Sequence, residues 1–182
     1  MQISYILPKY GLTKECLLLK IQLVHFRVIC FKVIIVATCT FFGHRDIPQE
    51  IELTLRSTLI NLIENKHVDL FYVGNQGNFD YMVLKNLTLL KLDYPHISYA
   101  VVLAYMPYKK NELNNKDYPN TIYPEGLENT PPKYAIIKRN RWMIDKADYV
   151  VTYVKDIVGG AIRFKEFSEK KGKIVLNLAD FD

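Results

Sequence analysis

The sequence predicts an α/β fold, a three-layer sandwich in which a five-stranded, mainly parallel sheet lies between helices. Three observations predict it. Continuous apolar runs rich in β-branched and aromatic residues recur along the chain, and such runs suit strands buried on both faces of a parallel sheet. Segments with apolar residues at helical spacing separate them, as right-handed crossovers require. Polar turns bearing glycine follow the strands rather than the helices.

The first strand is Val33–Phe42, ending at the polar turn Gly43-His44-Arg45-Asp46. Asp46 and Pro48 read as an N-cap and an early helical proline. Ile51, Leu55, Leu59, Leu62 and Ile63 then keep helical spacing to about Asn65. Val68–Val73 is the second strand, closed by Gly74-Asn75-Gln76-Gly77-Asn78, and Phe79, Met82, Val83, Leu87 and Leu90 mark the second helix. Ile97–Tyr105 is the third strand. Residues 106–130 are rich in Asn, Lys, Tyr and Pro without periodicity and read as a long loop, a feature more often functional or mobile than structural. Pro131 and Pro132 open a third helix carrying Tyr134, Ile137, Arg141 and Ile144. Tyr149–Val154 is the fourth strand, Gly159-Gly160 begins a fourth helix running to Lys171, and Lys173–Leu178 is the fifth strand.

The chain has 182 residues, enough for one domain with a real core, and carries 24 Lys+Arg against 19 Asp+Glu for a net charge of +5. Lys9, Lys14, Lys20, Arg27 and Lys32 against Glu15 place most of that excess in residues 1–33. The remainder is nearly neutral, which argues against nucleic acid as a partner, since that needs a basic face on the folded domain. Residues 1–30 are therefore set apart as a basic, apolar extension, and 31–182 as the domain. The extension reads as an appended strand or amphipathic helix, or as a leader outside the native fold. Lys20, Gln22, His25, Arg27 and Lys32 interrupt the apolar stretch, which falls short of the ~20 apolar residues of a membrane span. This disfavours a membrane partner. Cys16, Cys30 and Cys39, odd in number and without C-x-x-C spacing, fit a reducing cytoplasm.

In a parallel α/β sheet the turns after strands share the carboxyl edge, where ligands bind at the topological switch point. Helix N-termini there offer free N–H groups and partial positive charge to a phosphate. Gly43 permits close approach and Arg45 can fork onto a phosphate or carboxylate, with His44 between them. The alternative is a turn whose His and Arg simply face solvent. Gly74, Asn75, Gln76 and Gly77 form a natural nest for an anion or ribose, and Asp80 can accept from sugar hydroxyls or serve the helix dipole. Gly159-Gly160 is a third such turn, followed by Ala161. No H-E-x-x-H, G-x-S-x-G or G-x-x-x-x-G-K-[ST] occurs, and His25, His44, His67 and His96 are dispersed. No metal and no cofactor is expected.

Five segments taken together, "CTFFGHRDIP" (39–48), "VGNQGNFD" (73–80), "IIKRNRWMIDKADYVVTYV" (136–154), "GGA" (159–161) and "KGKIVLNL" (171–178), resemble the SLOG superfamily. These are Rossmann-like proteins related to the LOG phosphoribohydrolases and DprA, and the likeness is to the DUF1273/YpsA-like branch over residues 32–178. The resemblance implies a small nucleotide-like ligand held by Gly43, His44, Arg45, Gly74, Asn75, Gln76, Gly77, Asp80, Arg139, Gly159, Gly160 and Ala161. Family habit points to a homodimer. If the chain works as LOG enzymes do, Arg139 and Glu166 fall at the catalytic positions, where they act on the N-glycosidic bond of a nucleoside 5′-monophosphate. Departures bear on that alternative. Asn140 stands where those enzymes have Lys, Val158 replaces a proline, and Ile162-Arg163 replaces the Gly-Thr pair that admits the phosphate. The expected function is thus binding or sensing of a nucleotide ligand, with N-glycosidase activity as the alternative. A third reading, nucleic-acid or membrane-surface binding, would rest on the basic N-terminal arm.

Overall fold

The computed structural model describes residues 36–106, 120–155 and 159–181; the extension over residues 1–30 lies outside them. The chain runs β1 (Ala37–Gly43), α1 (Ile51–Lys66), β2 (Val68–Val73), α2 (Asn78–Asp93), β3 (Ser98–Val102), β4 (Thr121–Ile122), α3 (Pro132–Lys146), β5 (Tyr149–Tyr153), α4 (Gly160–Lys170) and β6 (Ile174–Asn177). All neighbouring strands pair in parallel, in the order β4-β3-β2-β1-β5-β6. The chain winds outward from β1 to β4 and then returns to set β5 on the other side of β1. The order therefore reverses between β1 and β5, the switch point of a doubly wound, Rossmann-like sheet.

The described sheet has six strands where the sequence predicts five. The addition, β4, is two residues long and falls inside the stretch read as an aperiodic loop. No alternation can be seen over two residues. What forms it is the outer edge of β3, where Val101 N–H donates to Asn120 O and Leu103 N–H to Ile122 O, both at 2.8 Å. The N-cap assigned to Asp46 also needs correction. The helix begins at Ile51, Glu50 stands at its N-cap without a side-chain hydrogen bond, and Pro48 lies before it. A turn intervenes, and there Glu52 N–H donates to Gln49 O at 3.0 Å.

Side chains alternate across each strand and so divide between two faces. Cys39, Phe41, Phe71, Val73, Val151 and Tyr153 point to one face, where they meet α1 and α2 in a single apolar cluster. Leu55, Leu59 and Leu62 of α1 and Val83, Leu87 and Leu90 of α2 are fully excluded from solvent there. Burial of each such side chain is worth roughly 1.5–3 kcal/mol. Phe42, Val150 and Val102 point to the other face, beneath Met143 and Ile144 of α3 and Phe164 and Phe167 of α4.

That second face is more polar. Thr40 Oγ1 donates to Tyr72 O at 3.0 Å and Thr152 Oγ1 to Asn177 Oδ1 at 3.2 Å. Asn177 also clamps the end of β5, accepting from Val154 N–H at 3.0 Å and donating to Val154 O at 3.2 Å. Asp148 Oδ2 accepts from Thr38 N–H at 2.9 Å while its own N–H donates to Thr38 O at 2.8 Å, tying β1 to the start of β5. This acidic residue before β5 is thus a strand-end tie, and it is not among the residues that line the cavity described below.

Candidate functional site

A cavity of about 400 Å³ opens at the carboxyl ends of the strands beside the switch point. Three turns and one helix build it. The turn after β1 brings Gly43, His44 and Arg45; the turn after β2 brings Gly74 and Gln76, with Asp80 from the first turn of α2; the start of α4 brings Gly160 and Ala161. Helix α3 supplies the remaining wall through Ile136, Arg139, Asn140 and Met143. These four sit at i, i+3, i+4 and i+7, one stripe of a 3.6-residue helix.

Glycine is required at two of these positions by space. A Cβ on Gly43 would collide with the ring of Phe79. A Cβ on Gly74 would collide with Asp80 Oδ2 and stand 3.0 Å from Arg139 Nη1. The first two turns also lock to each other, since Asn78 N–H donates to Arg45 O at 3.1 Å and Gly77 packs against the Arg45 backbone.

Arg139 governs the electrostatics. Its side chain is only 2% exposed, which is exceptional for a guanidinium. Nη1 donates to Val102 O at 2.6 Å, and Nε is buried without a hydrogen-bond partner. Burial draws its pKa below the ordinary arginine value, opposed by the negative charge of Asp80. Asp80 responds in the opposite sense. Burial raises its carboxyl above the usual range, and the N–H of Gln76, which donates to Oδ2 at 2.8 Å, and the charge of Arg139 hold it back. A buried cation thus faces a partly buried carboxylate across the glycine turn, with one donor still open. Such a donor costs about 1–3 kcal/mol when unmet, and an acceptor entering the cavity would relieve it. Backbone N–H groups at the start of α4 add partial positive charge to the same wall.

Of the residues predicted for a ligand, Gly43, His44, Arg45, Gly74, Gln76, Asp80, Arg139, Gly160 and Ala161 converge on this cavity. Asn75, Gly77, Gly159 and Glu166 do not line it. Asn75 instead accepts from the side-chain amide of its neighbour Gln76 at 3.2 Å. Glu166 is exposed on α4, two residues beyond the lining Phe164 and thus about 200° around the helix. The sequence did not mark Phe41, Phe42, Ile136, Met143 or Phe164 as site residues, because an apolar stripe lining a cavity has the spacing of one facing a core. The one available signal was Arg139-Asn140 at inward positions of α3, opposite the exposed Tyr134 and Ile137. Trp142 packs edge-on against Tyr72, with ring centroids 5.3 Å apart.

No family model matches the sequence, and no curated protein matches it. Solved structures do share its fold. DNA processing protein A (DprA) from Streptococcus pneumoniae superimposes with a TM-score of 0.56 at 15% identity, over 77% of this chain and 49% of that one. DNA processing protein A from Helicobacter pylori, whose structure concerns single-stranded DNA binding, gives 0.53 at 15% identity, over 76% of this chain and 63% of that one. The chain thus matches less than two thirds of either neighbour. This likeness corrects one expectation. The near-neutral domain argues by charge against nucleic acid, yet a protein of this fold binds single-stranded DNA. Among the described residues, no helix is long and apolar enough to cross a membrane.

Proposed function

We propose that this is a SLOG-type domain that binds a nucleotide or nucleotide-derived ligand in the cavity at the carboxyl edge of the sheet. The observation that carries the reading is Arg139, whose buried guanidinium keeps an unmet donor among three glycine-bearing turns. An anionic ligand supplies the acceptor that Arg139 Nε lacks, beside the countercharge that Asp80 already provides. The small residues Gly74, Gly160 and Ala161 leave room for backbone N–H groups to approach a phosphate closely. Apolar Phe42, Ile136, Met143 and Phe164 offer the rest of the cavity to a base. The exposed position of Glu166 outside the cavity favours binding over glycosidic hydrolysis, so AMP incubated with the protein is expected to release no adenine.

Thermal unfolding in the presence of nucleoside mono- and diphosphates, ADP-ribose and NAD tests the reading. A ligand at 100 times its Kd adds about 2.7 kcal/mol to stability. At least one member of the panel should raise the midpoint in a saturable way. No shift from any of them at millimolar concentration would overturn the proposal.

A second reading, single-stranded DNA binding, is supported by the Helicobacter pylori neighbour and by the rim of the site. There His44, Arg45, Tyr153 and Lys155 line a groove of about 520 Å³, with Lys155 Nζ 5.6 Å from the Tyr153 ring centre. Tyr153 is buried beneath this groove and Asp46 shares its wall, so what suits a strand here is the basic groups, which can follow its phosphates. Binding of a labelled oligothymidylate that weakens steeply with salt and with Arg45→Ala would favour it, and binding of mononucleotides alone would exclude it.

A further inference from the structure

The wall contributed by α3 carries a group that neither the fold nor the anion site accounts for. Asn140 is 8% exposed and lines the cavity, yet its carboxamide makes no hydrogen bond with the described residues. Three other polar groups of the cavity, Gln76, Asp80 and Arg139, are partly engaged. Gln76 donates its side-chain amide to Asn75, Asp80 Oδ2 accepts from Gln76 N–H, and Arg139 Nη1 holds Val102 O. Asn140 therefore presents a donor and an acceptor side by side, both untaken.

Apolar groups share the cavity with it. Ile136 and Met143 share its stripe of α3, and Phe42 stacks on Phe164 with centroids 5.3 Å apart and rings inclined at 28°. A neutral carboxamide flanked on its helix by Ile136 and Met143 brings no positive charge to a phosphate. It suits a flat heterocycle whose edge carries one donor beside one acceptor. The carboxamide oxygen accepts from an exocyclic amine while its NH₂ donates to the adjacent ring nitrogen, as asparagine does with the N6 and N7 positions of adenine.

We propose that Asn140 is the specificity-determining residue of the cavity, reading the amino edge of an adenine base. This deepens the nucleotide reading above and rests on it. Arg139 and the glycine turns hold the anion, and Asn140, in the wall of the same cavity, identifies the base.

Titrations of AMP, GMP and ribose 5-phosphate against wild type, Asn140→Asp and Asn140→Leu separate the two ideas. Wild type should bind AMP about tenfold or more tighter than ribose 5-phosphate, and GMP, whose O6 and N1–H also set an acceptor beside a donor, no tighter than AMP. Asn140→Asp replaces the donor with a second acceptor, so it should lose AMP and turn toward GMP, whose edge offers two adjacent donors. Asn140→Leu should bind AMP no better than ribose 5-phosphate while holding ribose 5-phosphate as wild type does. Retained ribose 5-phosphate affinity also reports that a variant has folded. If Asn140→Leu keeps the AMP advantage, or wild type prefers GMP, the assignment of Asn140 fails while the anion site stands. If wild type binds none of the three, both readings fall together.

Discussion

On one face of the sheet, α1 and α2 bury aliphatic and aromatic side chains almost without exception. On the other, α3 turns Arg139 and Asn140 inward beside Met143 and Ile144. Both faces are covered by two helices from the same kind of crossover, so the contrast is one of contents. The first face is packed to hold the domain together. The second gives up part of its core to a cavity whose polar groups remain incompletely paired. The difference separates residues that support stability from residues that await a ligand, and mutation can pull the two apart.

The largest effect on stability belongs to the first face. Leu59→Ala should cost about 2–5 kcal/mol in denaturant unfolding, as buried leucine truncations do, while the folded protein keeps its response to nucleotide. Loss of that response would mean the faces are not independent. Gly74→Ala comes next, because its methyl group would displace Asp80 and crowd Arg139. It should cost about 1–3 kcal/mol and abolish nucleotide-dependent stabilisation. Arg139→Met sharpens the comparison most. It strands Val102 O but also removes a buried charge, so unfolding should shift by only about 1 kcal/mol while ligand stabilisation disappears.

The smallest effect is a pH dependence. The carboxyl of Asp80 titrates higher in the folded protein than in the unfolded chain, chiefly because it is buried. The folded state therefore holds the proton longer, and stability falls as pH rises from about 4 toward that raised value. Relative to Asp80→Asn, wild type should lose stability across that interval and run parallel to it above. A gap that instead widens in favour of wild type as pH rises would contradict the burial.

Much of this was legible in the sequence, for identifiable reasons. Strands β1, β2 and β5 and helices α1 and α2 bury continuous or evenly spaced apolar residues, and their periodicity survives in the sequence unaltered. The turns at Gly43 and Gly74 were legible because glycine after an apolar run is chemically distinct. Strand β4 was hidden by its two-residue length, being created by a backbone edge and not by side chains. The sequence marks α3 by Tyr134, Ile137, Arg141 and Ile144, of which only Ile144 is buried, so the inward stripe of Ile136, Arg139, Asn140 and Met143 goes unassigned as a face. Glu166 falls at a family interval in sequence, but helical phase carries it away from the cavity. Near-neutrality of the residues after the basic N-terminal stretch argues against nucleic acid, but charge summed along a sequence does not report which charges share a face of the fold.

The most direct test is a crystal structure of the protein grown with a nucleotide that stabilises it. The account predicts density for the ligand in the carboxyl-edge cavity, an acidic group facing Arg139 and Gly74, and a base against Asn140. Density confined to another part of the surface, such as the groove lined by Tyr105 and Tyr123, with this cavity free of nucleotide, would contradict it.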